Sequence, residues 1–260
     1  MKYPKINDSR DIPAALRDMR LSAMAAAYEK EHNDPGANLR TFDERFIDII
    51  TAEQDYRKNK KRNKCLKFAH LKMPDADLSQ LDTTVDRQMD LGKLSALSSC
   101  EWITRRLNLI ITGPCGAGKT WIACALGARA CENFMSVRAY SVNRLITRMK
   151  TYASDPNVYL QQLKELEDLD LLILDDIGLQ CYDLDSCRIF YEILDARYKV
   201  GSTLLISQFP VSTWMDLFSD KTYGNGVLSR NIENSVRLEI QSEDIRKRTS
   251  NLSLEDIEEK

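Results

Sequence analysis

The apolar positions in the first third of the chain recur at helical spacing, with polar residues between them. The sequence Asp11-Ile12-Pro13 is typical of a helix start, because proline fits the first turn of a helix. The apolar positions that follow are Leu16, Met19, Met24 and Tyr28. This pattern predicts one helix that runs to the turn signal at residues 33–36, which contains a proline and a glycine.

A second helix is predicted to start at a capping box. Thr41 and Glu44 have the spacing at which each side chain can bond to the backbone of the other. The apolar stripe of this helix comprises Phe42, Phe46, Ile49, Ile50 and Tyr56. Residues 57–72 then carry eight basic side chains and no acidic one, and the sequence Met73-Pro74-Asp75 is expected to break the helix. We expect Tyr56 and Phe68 to pack in the core of a small helical domain.

From about residue 105 the pattern changes to short apolar runs that alternate with longer amphipathic segments. The five runs lie at residues 107–111, 137–140, 171–174, 203–206 and 236–240. Strands that alternate with helices predict a parallel sheet covered by helices on both faces. The predicted organisation is an all-helical N-terminal domain at residues 1–74, a linker at 75–104 with a helix over 82–98, an α/β domain at 105–250 with a five-stranded parallel sheet, and a tail at 251–260.

A glycine-rich sequence follows the first predicted strand. Residues 113–120 read GPCGAGKT, which matches the P-loop pattern G-x-x-x-x-G-K-[ST] between a strand and a helix. Glycines let the backbone curve around phosphate oxygens, and the helix start adds positive potential. Lys119 is predicted to reach the β- and γ-phosphates of ATP, and the Thr120 hydroxyl to bind Mg²⁺. The predicted nucleotide-binding residues are Gly113, Pro114, Cys115, Gly116, Ala117, Gly118, Lys119, Thr120 and Trp121.

Two carboxylates follow the third apolar run, in the sequence LLILDD at residues 171–176. Four apolar residues predict a buried strand, and ligands of open α/β sheets bind at the carboxyl ends of such strands. Asp175 is therefore predicted to hold Mg²⁺. Asp176 is predicted to orient or deprotonate the water that attacks the γ-phosphate.

The overall charge is nearly balanced, with 37 Lys+Arg against 39 Asp+Glu, which excludes a uniformly basic or strongly acidic protein. The balance is uneven along the chain, because residues 1–110 carry 20 basic and 17 acidic side chains. The basic segment could contact the phosphates of a DNA backbone with little sequence preference. The predicted nucleic-acid-binding residues are Arg57, Lys58, Lys60, Lys61, Arg62, Lys64 and Lys67. A solvated helix face is the competing interpretation of the same charges.

Membrane and secretion signals are not evident in the sequence. No stretch reaches the roughly 18 consecutive apolar residues that span a bilayer, and the first ten residues lack the apolar run of a secretory signal. The seven cysteines form no CxxC pair. We therefore expect a cytoplasmic protein with reduced cysteines and no membrane partner.

The motifs together resemble the AAA+ ATPases, and more closely the DnaC-like branch, in which LLILDDIG follows GPCGAGKT at a similar distance. The resemblance to the IstB-type helper ATPases of insertion-sequence transposition covers nearly the whole chain. It is carried by MRLSAMAAAYEKE, TFDERFIDIITAEQDYRKNKKRNK, LSALSSCEWITRRLNLIITGP, STLLISQFPVSTW and LSRNIENSVRLEIQSEDIRKR. This resemblance implies an ATPase that forms homo-oligomers on double-stranded target DNA and cooperates with a transposase.

The resemblance also implies roles for three residues beyond the phosphate site. Gln208 matches the sensor-1 position, a polar side chain that reaches the γ-phosphate or the water. Arg230 matches the arginine finger, which projects into the site of a neighbouring subunit, and Arg246 matches a sensor-2-like arginine. Because few residues follow Arg246, the lid subdomain of AAA+ proteins is expected to be absent or vestigial. Two positions depart from the family pattern: Trp121 stands where this branch often has histidine, and Ser229 where it often has aspartate.

Other functions remain open from the sequence. A DnaC-type helicase loader would use the N-terminal domain to bind a helicase, whereas the basic segment favours DNA. A small-molecule kinase would share the P-loop, but we find no segment with the several arginines of a phosphate-clamping lid. A nucleotide switch that does not hydrolyse ATP is disfavoured by Asp175 and Asp176.

Overall fold

The structure is a computed structural model that describes residues 6–82 and 88–242, apart from the side chain of Asn38. The chain divides between Lys64 and Cys65 into two compact units. We describe each unit separately. The functional division at residues 74, 104 and 250 stays a prediction.

The first unit is helical. Its elements are α1 (Ile12–Asp18), α2 (Ser22–His32), a short 3-10 turn (Ala37–Leu39) and most of α3 (Phe42–Ala69). The prediction of one continuous helix after Asp11 is wrong, because the chain turns between α1 and α2. Arg20 has φ 61°, a left-handed conformation that cannot continue a right-handed helix.

Two carboxylates cap the helices of this unit. The predicted capping box is confirmed: Glu44 Oε2 accepts from the Thr41 N–H at 2.8 Å, and Thr41 Oγ1 accepts from the Glu44 N–H at 3.3 Å. Glu53, which is buried, accepts from the N–H groups of Ala23 and Met24 at 3.0 and 3.1 Å. Glu53 thus satisfies the first turn of α2 from the middle of α3.

The aromatic residues of α3 do not lie where the stripe predicts. Ile49 is buried, but Phe42 is 67% exposed and stacks on Phe46 with 5.5 Å between ring centroids. Tyr56 and Phe68 are also exposed. The expectation that these two rings pack in the core is wrong. The polar residues that surround them leave α3 without a continuous apolar face.

The second unit begins in the last turn of α3, which ends earlier than the sequence predicts. The helix stops at Ala69, and His70 has φ 50°, so the chain leaves the helix before Lys72. Ala69 and Leu71 are buried in the core of this unit. The basic segment is therefore divided: seven of its eight side chains lie on α3, whereas Lys72 lies beyond the helix.

The linker contains shorter helices than the one predicted over residues 82–98. A 3-10 turn (Leu78–Gln80) is followed by α4 (Leu91–Leu97) and α5 (Glu101–Thr104). Residues 83–87 lie outside the described part of the chain, so the first part of the predicted helix cannot be compared. Asp90 caps α4, since its side chain accepts from the Lys93 N–H at 2.9 Å.

A five-stranded parallel sheet forms the centre of the second unit, as predicted. Its strands are β1 (Asn108–Thr112), β2 (Val137–Ser141), β3 (Leu171–Ile177), β4 (Ser202–Ser207) and β5 (Ser235–Glu239), in the order β2-β3-β4-β1-β5. The helices between the strands are α6 (Lys119–Glu132), α7 (Val142–Tyr152), α8 (Pro156–Glu167), α9 (Leu184–Ala196) and α10 (Lys221–Ile232), with a 3-10 segment (Val211–Leu217) before α10.

Alternate residues of the strands pack into two hydrophobic layers, one on each face of the sheet. On β1, Leu109 and Ile111 belong to one layer and Ile110 to the other. On β3, Ile173 belongs to the first layer and Leu172 to the second. This alternation is the period-2 geometry of a strand, and it explains why a strand with both faces covered is apolar at successive positions.

The strand order brings three chain segments to one edge of the sheet. β3, β4 and β1 are neighbours and all run in the same direction, so their carboxyl ends are adjacent. Gly113 follows β1, Asp175 and Asp176 lie near the end of β3, and Gln208 follows β4. These segments contain most of the predicted phosphate and acid residues.

A buried arginine joins the opposite ends of β3 and β4 to α8 and α9. Arg197 is 1% exposed, and its guanidinium donates to the carbonyls of Leu166, Leu169 and Ser202 and to Thr203 Oγ1. Burial lowers the pKa of Arg197 to about 10, so the side chain is still a cation at neutral pH. It supplies hydrogen-bond donors to these carbonyls, which lie at the ends of α8 and β4 and just before β3.

We predict that Arg197→Met lowers the free energy of unfolding by about 3 kcal/mol or more, since each buried acceptor left unsatisfied costs about 1–3 kcal/mol. Urea unfolding followed by circular dichroism measures the loss. Arg188→Met is the matched control, because Arg188 is exposed on α9 and its ion pair with Glu192 lies at the surface. Equal stabilities of the two variants would contradict the structural role of Arg197.

Candidate phosphate and metal site

The loop after β1 has the backbone geometry of a phosphate cradle. Gly113, Gly116 and Gly118 have φ values of 150°, 77° and 89°, in the region that favours glycine. A Cβ atom on Gly113 would lie 2.2 Å from the carbonyl oxygen of Ile240, so no larger residue fits there. The loop leads directly into α6, which begins at Lys119. Backbone N–H groups and a helix start are thus directed at one small volume.

The P-loop lysine is held inside this loop. Lys119 is buried, and its Nζ donates to the carbonyls of Gly113 and Pro114 at 2.8 and 2.7 Å. The loop therefore places a positive charge at its own centre, where anionic oxygens of a nucleotide can be neutralised.

The hydroxyl after the lysine contacts the first of the two carboxylates. Thr120 Oγ1 donates to Asp175 Oδ2 at 3.0 Å, and Asp175 is 5% exposed. The other carboxylate oxygen of Asp175 accepts from the Asp176 N–H at 2.9 Å. Thr120 and Asp175, which the sequence predicts as metal ligands, are thus adjacent on neighbouring elements.

Asp176 has an unusual backbone conformation for a residue in a strand. Its φ is 68°, and the register between β3 and β4 shifts between Leu174 and Ile177. A bulge of this kind redirects a side chain away from the alternation of the strand. As a result, the side chains of Asp175 and Asp176 lie on the same side of the strand. The contact of both carboxylates with Lys72 shows this arrangement.

Lys72 is a third charged group of the site. Its Nζ lies 2.8 Å from Asp175 Oδ2 and 3.2 Å from Asp176 Oδ2. Burial works to lower the pKa of Lys72, but the hydrogen bond to Asp175 and the charges of both carboxylates outweigh it and raise the pKa. Lys72 is therefore an ammonium at neutral pH.

These groups line one cavity of about 630 Å³ in the second unit. The lining includes these predicted residues: Cys115, Gly116, Gly118, Lys119, Thr120, Trp121, Asp175, Asp176 and Gln208. Gly113 and Pro114 contact Lys119 through their carbonyls, and Ala117 is buried beneath the loop. A cavity of this size is in the range of small-molecule and cofactor sites.

Part of the lining was missed by sequence reasoning. Lys72, Met73, Gln80, Leu81 and Asp82 line the cavity from the segment before β1. No motif marks these residues, because they reach the site through the path of the chain after α3. The proline at position 74 is the available signal, since it predicts that the basic helix ends nearby.

Arg230 lies outside this cavity lining. It is on α10, and its Nη1 contacts Tyr191 Oη and Asp195 Oδ1 on α9, with the guanidinium carbon 5.2 Å from the centre of the Tyr191 ring. The hydrogen bond with Tyr191 raises the pKa of Arg230 most strongly, with the charge of Asp195 adding to it. Both Arg230 and Asp195 remain partly exposed.

The other predicted residues are outside the described chain or are not among the residues that line the cavity. Arg246 lies outside the described residues, as does the region in which the absence of a lid is expected. Of the predicted DNA-contacting residues, Arg62 is half-buried and the others are exposed: Arg57, Lys58, Lys60, Lys61, Lys64 and Lys67. Arg57 is engaged locally, since its Nε donates to Glu53 at 2.8 Å.

The residues present fit a nucleotide and a divalent cation on their chemistry. The glycine backbone and Lys119 provide donors for phosphate oxygens. The oxygen donors Thr120 Oγ1 and Asp175 Oδ2 are of the hard type that Mg²⁺ prefers. Thr120 and Asp175 would hold the metal, which would neutralise phosphate oxygens, and Asp176 is the adjacent carboxylate.

Comparison with known proteins settles the family. The model of the IstB-like ATP-binding protein family matches residues 14–253. This chain belongs to the IstB-like ATP-binding protein family. The resemblance predicted from the motifs is thereby confirmed. Within the described residues, none of the helices has both the length and the apolar character to cross a membrane.

Relatives in the family are associated with insertion sequences. The insertion sequence ATP-binding protein y4uH of Sinorhizobium fredii is 35% identical over 95% of this chain and 96% of its own length. The insertion sequence IS1162 ATP-binding protein of Pseudomonas fluorescens is 36% identical over 76% of this chain and 85% of its own length. Both relatives are thus similar to this chain over most of their own length.

Solved structures share the AAA+ P-loop fold. The DnaC helicase loader aligns with a TM-score of 0.51 and 22% identity, over 58% of this chain and 87% of that chain. The replication initiator DnaA bound to AMPPCP and single-stranded DNA aligns with a TM-score of 0.54 and 17% identity, over 73% of this chain and 60% of that chain. The predicted fold class is confirmed by these similarities.

We predict that Gly113→Ala lowers the free energy of unfolding by about 1–3 kcal/mol, because a side chain is strained at this φ and collides with the Ile240 carbonyl. The same displacement of the loop should weaken ATP binding about tenfold or more. Thermal unfolding and titration with a fluorescent ATP analogue measure both effects. Gly36→Ala is the control, since Gly36 has φ −83° and a Cβ there would meet only ordinary contacts. Unchanged binding by Gly113→Ala would show that the loop tolerates the side chain.

Proposed function

We propose that this protein is an ATP-hydrolysing helper of insertion-sequence transposition, which assembles on double-stranded DNA in the cytoplasm and cooperates with a transposase. The observation that carries the proposal is the convergence of Lys119, Thr120, Asp175 and Asp176 on one cavity in a member of the IstB-like family. The basic helix α3 supports a role for DNA.

The residues of the cavity have distinct roles in the proposed hydrolysis. The loop N–H groups and Lys119 bind the phosphates, and Thr120 and Asp175 hold Mg²⁺. The metal supplies charge neutralisation for the phosphates when it is bound. Asp176 orients the attacking water and accepts its proton, and Gln208, at the end of β4, contacts that water or the γ-phosphate.

Completion of the site across a subunit interface is proposed for Arg230. The arginine is partly exposed on α10 and is absent from the described lining of its own cavity. The pair with Asp195 and Tyr191 holds the guanidinium at the surface, where a neighbouring subunit could receive it. A trans-acting arginine would link hydrolysis to homo-oligomer formation.

The proposed DNA contact lies on α3. Exposed basic side chains recur on its surface without acidic residues after position 55, and they can neutralise successive phosphates. The solved DnaA structure contains single-stranded DNA, and it shares only the fold with this chain. The similarity in fold to the DnaC helicase loader keeps helicase loading as the second candidate function. In that case α3 would serve a protein partner.

We predict that Arg230→Ala binds ATP with unchanged affinity but loses DNA-stimulated hydrolysis by a factor approaching the ~10³–10⁵ of a fully engaged finger. Phosphate release is measured at saturating ATP with and without duplex DNA. Oligomer size is measured in parallel by light scattering with a slowly hydrolysed ATP analogue.

Two controls define this experiment. Lys119→Ala should lose ATP binding itself, whereas Arg105→Ala should behave as wild type, because the ion pair of Arg105 with Glu101 is exposed. Full hydrolysis by Arg230→Ala in an assembled state would refute the finger assignment. A wild-type protein that stays monomeric with ATP analogue and DNA would refute assembly and favour a kinase or a nucleotide switch.

We predict that replacing Lys58, Lys60, Lys61 and Lys64 with alanine weakens duplex binding equally for all sequences. The slope of log affinity against log salt should fall by about one for each DNA phosphate that the variant no longer neutralises. Fluorescence anisotropy at several salt concentrations measures this slope. A variant with Lys93, Lys150, Lys164 and Lys221 replaced removes the same charge from other positions and should retain binding. Equal affinities of the two variants at low salt would exclude α3 as the DNA surface.

A further inference from the structure

Lys72 contacts both carboxylates of the acidic pair Asp175 and Asp176. Its Nζ is 2.8 Å from Asp175 Oδ2, the same oxygen to which Thr120 Oγ1 donates at 3.0 Å. It also lies 3.2 Å from Asp176 Oδ2. Thr120 and Asp175 are the residues that would hold a metal ion, and the Lys72 ammonium contacts an oxygen that such an ion would use.

The charges explain why a cation is needed there. Asp175 and Asp176 are consecutive, Asp175 is buried, and the bulge turns both carboxylates toward Lys72. Lys119, the other cation of the lining, is directed to the carbonyls of Gly113 and Pro114. Lys72 is a cation in direct contact with both carboxylates, and it neutralises part of their charge.

The residue before Lys72 is packed in the core, whereas the Lys72 side chain is half exposed. Leu71 is buried beside Gly127 of α6, where a built Cβ would come 3.0 Å from Leu71 Cδ2. Four residues earlier, Phe68 packs under the guanidinium of Arg138 at 3.7 Å. The Lys72 side chain itself is 52% exposed. Removal of its ammonium from the carboxylates thus requires only side-chain rotation, and no change in the core.

We propose that Lys72 is a resident cation of the acidic pair, which balances Asp175 and Asp176 before Mg²⁺-nucleotide binds and is displaced when the metal binds. This inference rests on the proposed Mg²⁺ role of Thr120 and Asp175. It assigns Lys72 to control of metal and nucleotide affinity, separate from the DNA-contacting lysines of α3 with which it is contiguous in sequence.

The proposal is tested by the ratio of nucleotide dissociation constants in EDTA and in Mg²⁺, measured with a fluorescent ATP analogue. Lys72→Met should increase this ratio about twofold to fivefold, since a partly exposed ion pair of this kind contributes on that scale. Without the lysine, unbalanced carboxylates repel phosphates in EDTA, and Mg²⁺ binds without a competitor. An unchanged or smaller ratio would overturn the proposal. If Lys72 were instead a permanent ligand of the phosphates, Lys72→Met would weaken nucleotide binding equally with and without Mg²⁺, and the ratio would stay unchanged.

A matched control separates this effect from the removal of any surface ion pair. Lys164 on α8 also bridges two carboxylates, Glu167 at 3.0 Å and Asp168 at 2.9 Å, and is outside the cavity lining. Lys164→Met should keep the wild-type ratio. Lys72→Arg, which keeps the charge, should stay closer to wild type than Lys72→Met. A ratio for Lys72→Arg as large as that for Lys72→Met would contradict a role of the charge.

Two further measurements keep the outcomes distinct. Thermal unfolding in EDTA without nucleotide should show a lower Tm for Lys72→Met than for Lys164→Met, with a larger recovery on addition of Mg²⁺. Asp175→Asn tests the metal site itself and should abolish the Mg²⁺ dependence of nucleotide binding. Retention of that dependence would refute the proposed metal role. If Asp175→Asn loses the Mg²⁺ dependence but Lys72→Met keeps the wild-type ratio of dissociation constants, only the role of Lys72 is refuted.

Discussion

The acidic pair at the end of β3 is the constraint on which the rest of the site depends. A buried carboxylate is costly unless a cation or hydrogen-bond donors compensate it. Asp175 receives a hydroxyl from Thr120, a backbone N–H from Asp176 and an ammonium from Lys72. These contacts connect the helix after the P-loop, the bulge of β3 and the segment after α3. A ligand that changes the charge at this point therefore acts on three parts of the second unit together.

The sheet makes that convergence possible. Because β3, β4 and β1 are adjacent and parallel, the residues that leave their carboxyl ends meet without long side chains. The glycine at position 113 allows the chain to turn immediately after β1, beside the Ile240 carbonyl that follows β5. At the amino ends of β3 and β4, the buried guanidinium of Arg197 donates hydrogen bonds to the carbonyls of Leu169 and Ser202. The residues of the candidate site thus lie at the carboxyl ends of the strands, and the stabilising Arg197 lies at the amino ends of β3 and β4.

The features predictable from the sequence are those that depend on local pattern. Apolar runs locate all five strands, and the P-loop spacing locates the cradle, since both are encoded by neighbouring residues. The turn at Arg20 is not predicted, because the helical spacing of apolar residues continues across it, although the φ angle of Arg20 is positive. Phe42 is exposed for a similar reason: an apolar stripe predicts a buried face only if another element covers it. Lys72 is the most instructive case. As a lysine in a run of basic residues, it is expected from the sequence to contact DNA. The path of the chain after Ala69 instead brings it to the carboxylates.

The charge in the cavity gives a physical reason for considering a second chain. The described lining contains three aspartates, Asp82, Asp175 and Asp176, against two lysines, Lys72 and Lys119. A triphosphate adds several negative charges, and Mg²⁺ at Thr120 and Asp175 would balance only part of them. If the ammonium of Lys72 leaves the carboxylates as the metal arrives, it becomes available to the phosphates, yet it gives only one further charge. In the proposed hydrolysis, the charge that would develop on the γ-phosphoryl group would favour a further positive charge from outside this lining. An arginine that already lies near the surface on Tyr191 and Asp195 can supply it only by exchanging those partners for the phosphate. If the proposed function is correct, this exchange would limit hydrolysis, and the proposed assembly on DNA would lower its cost.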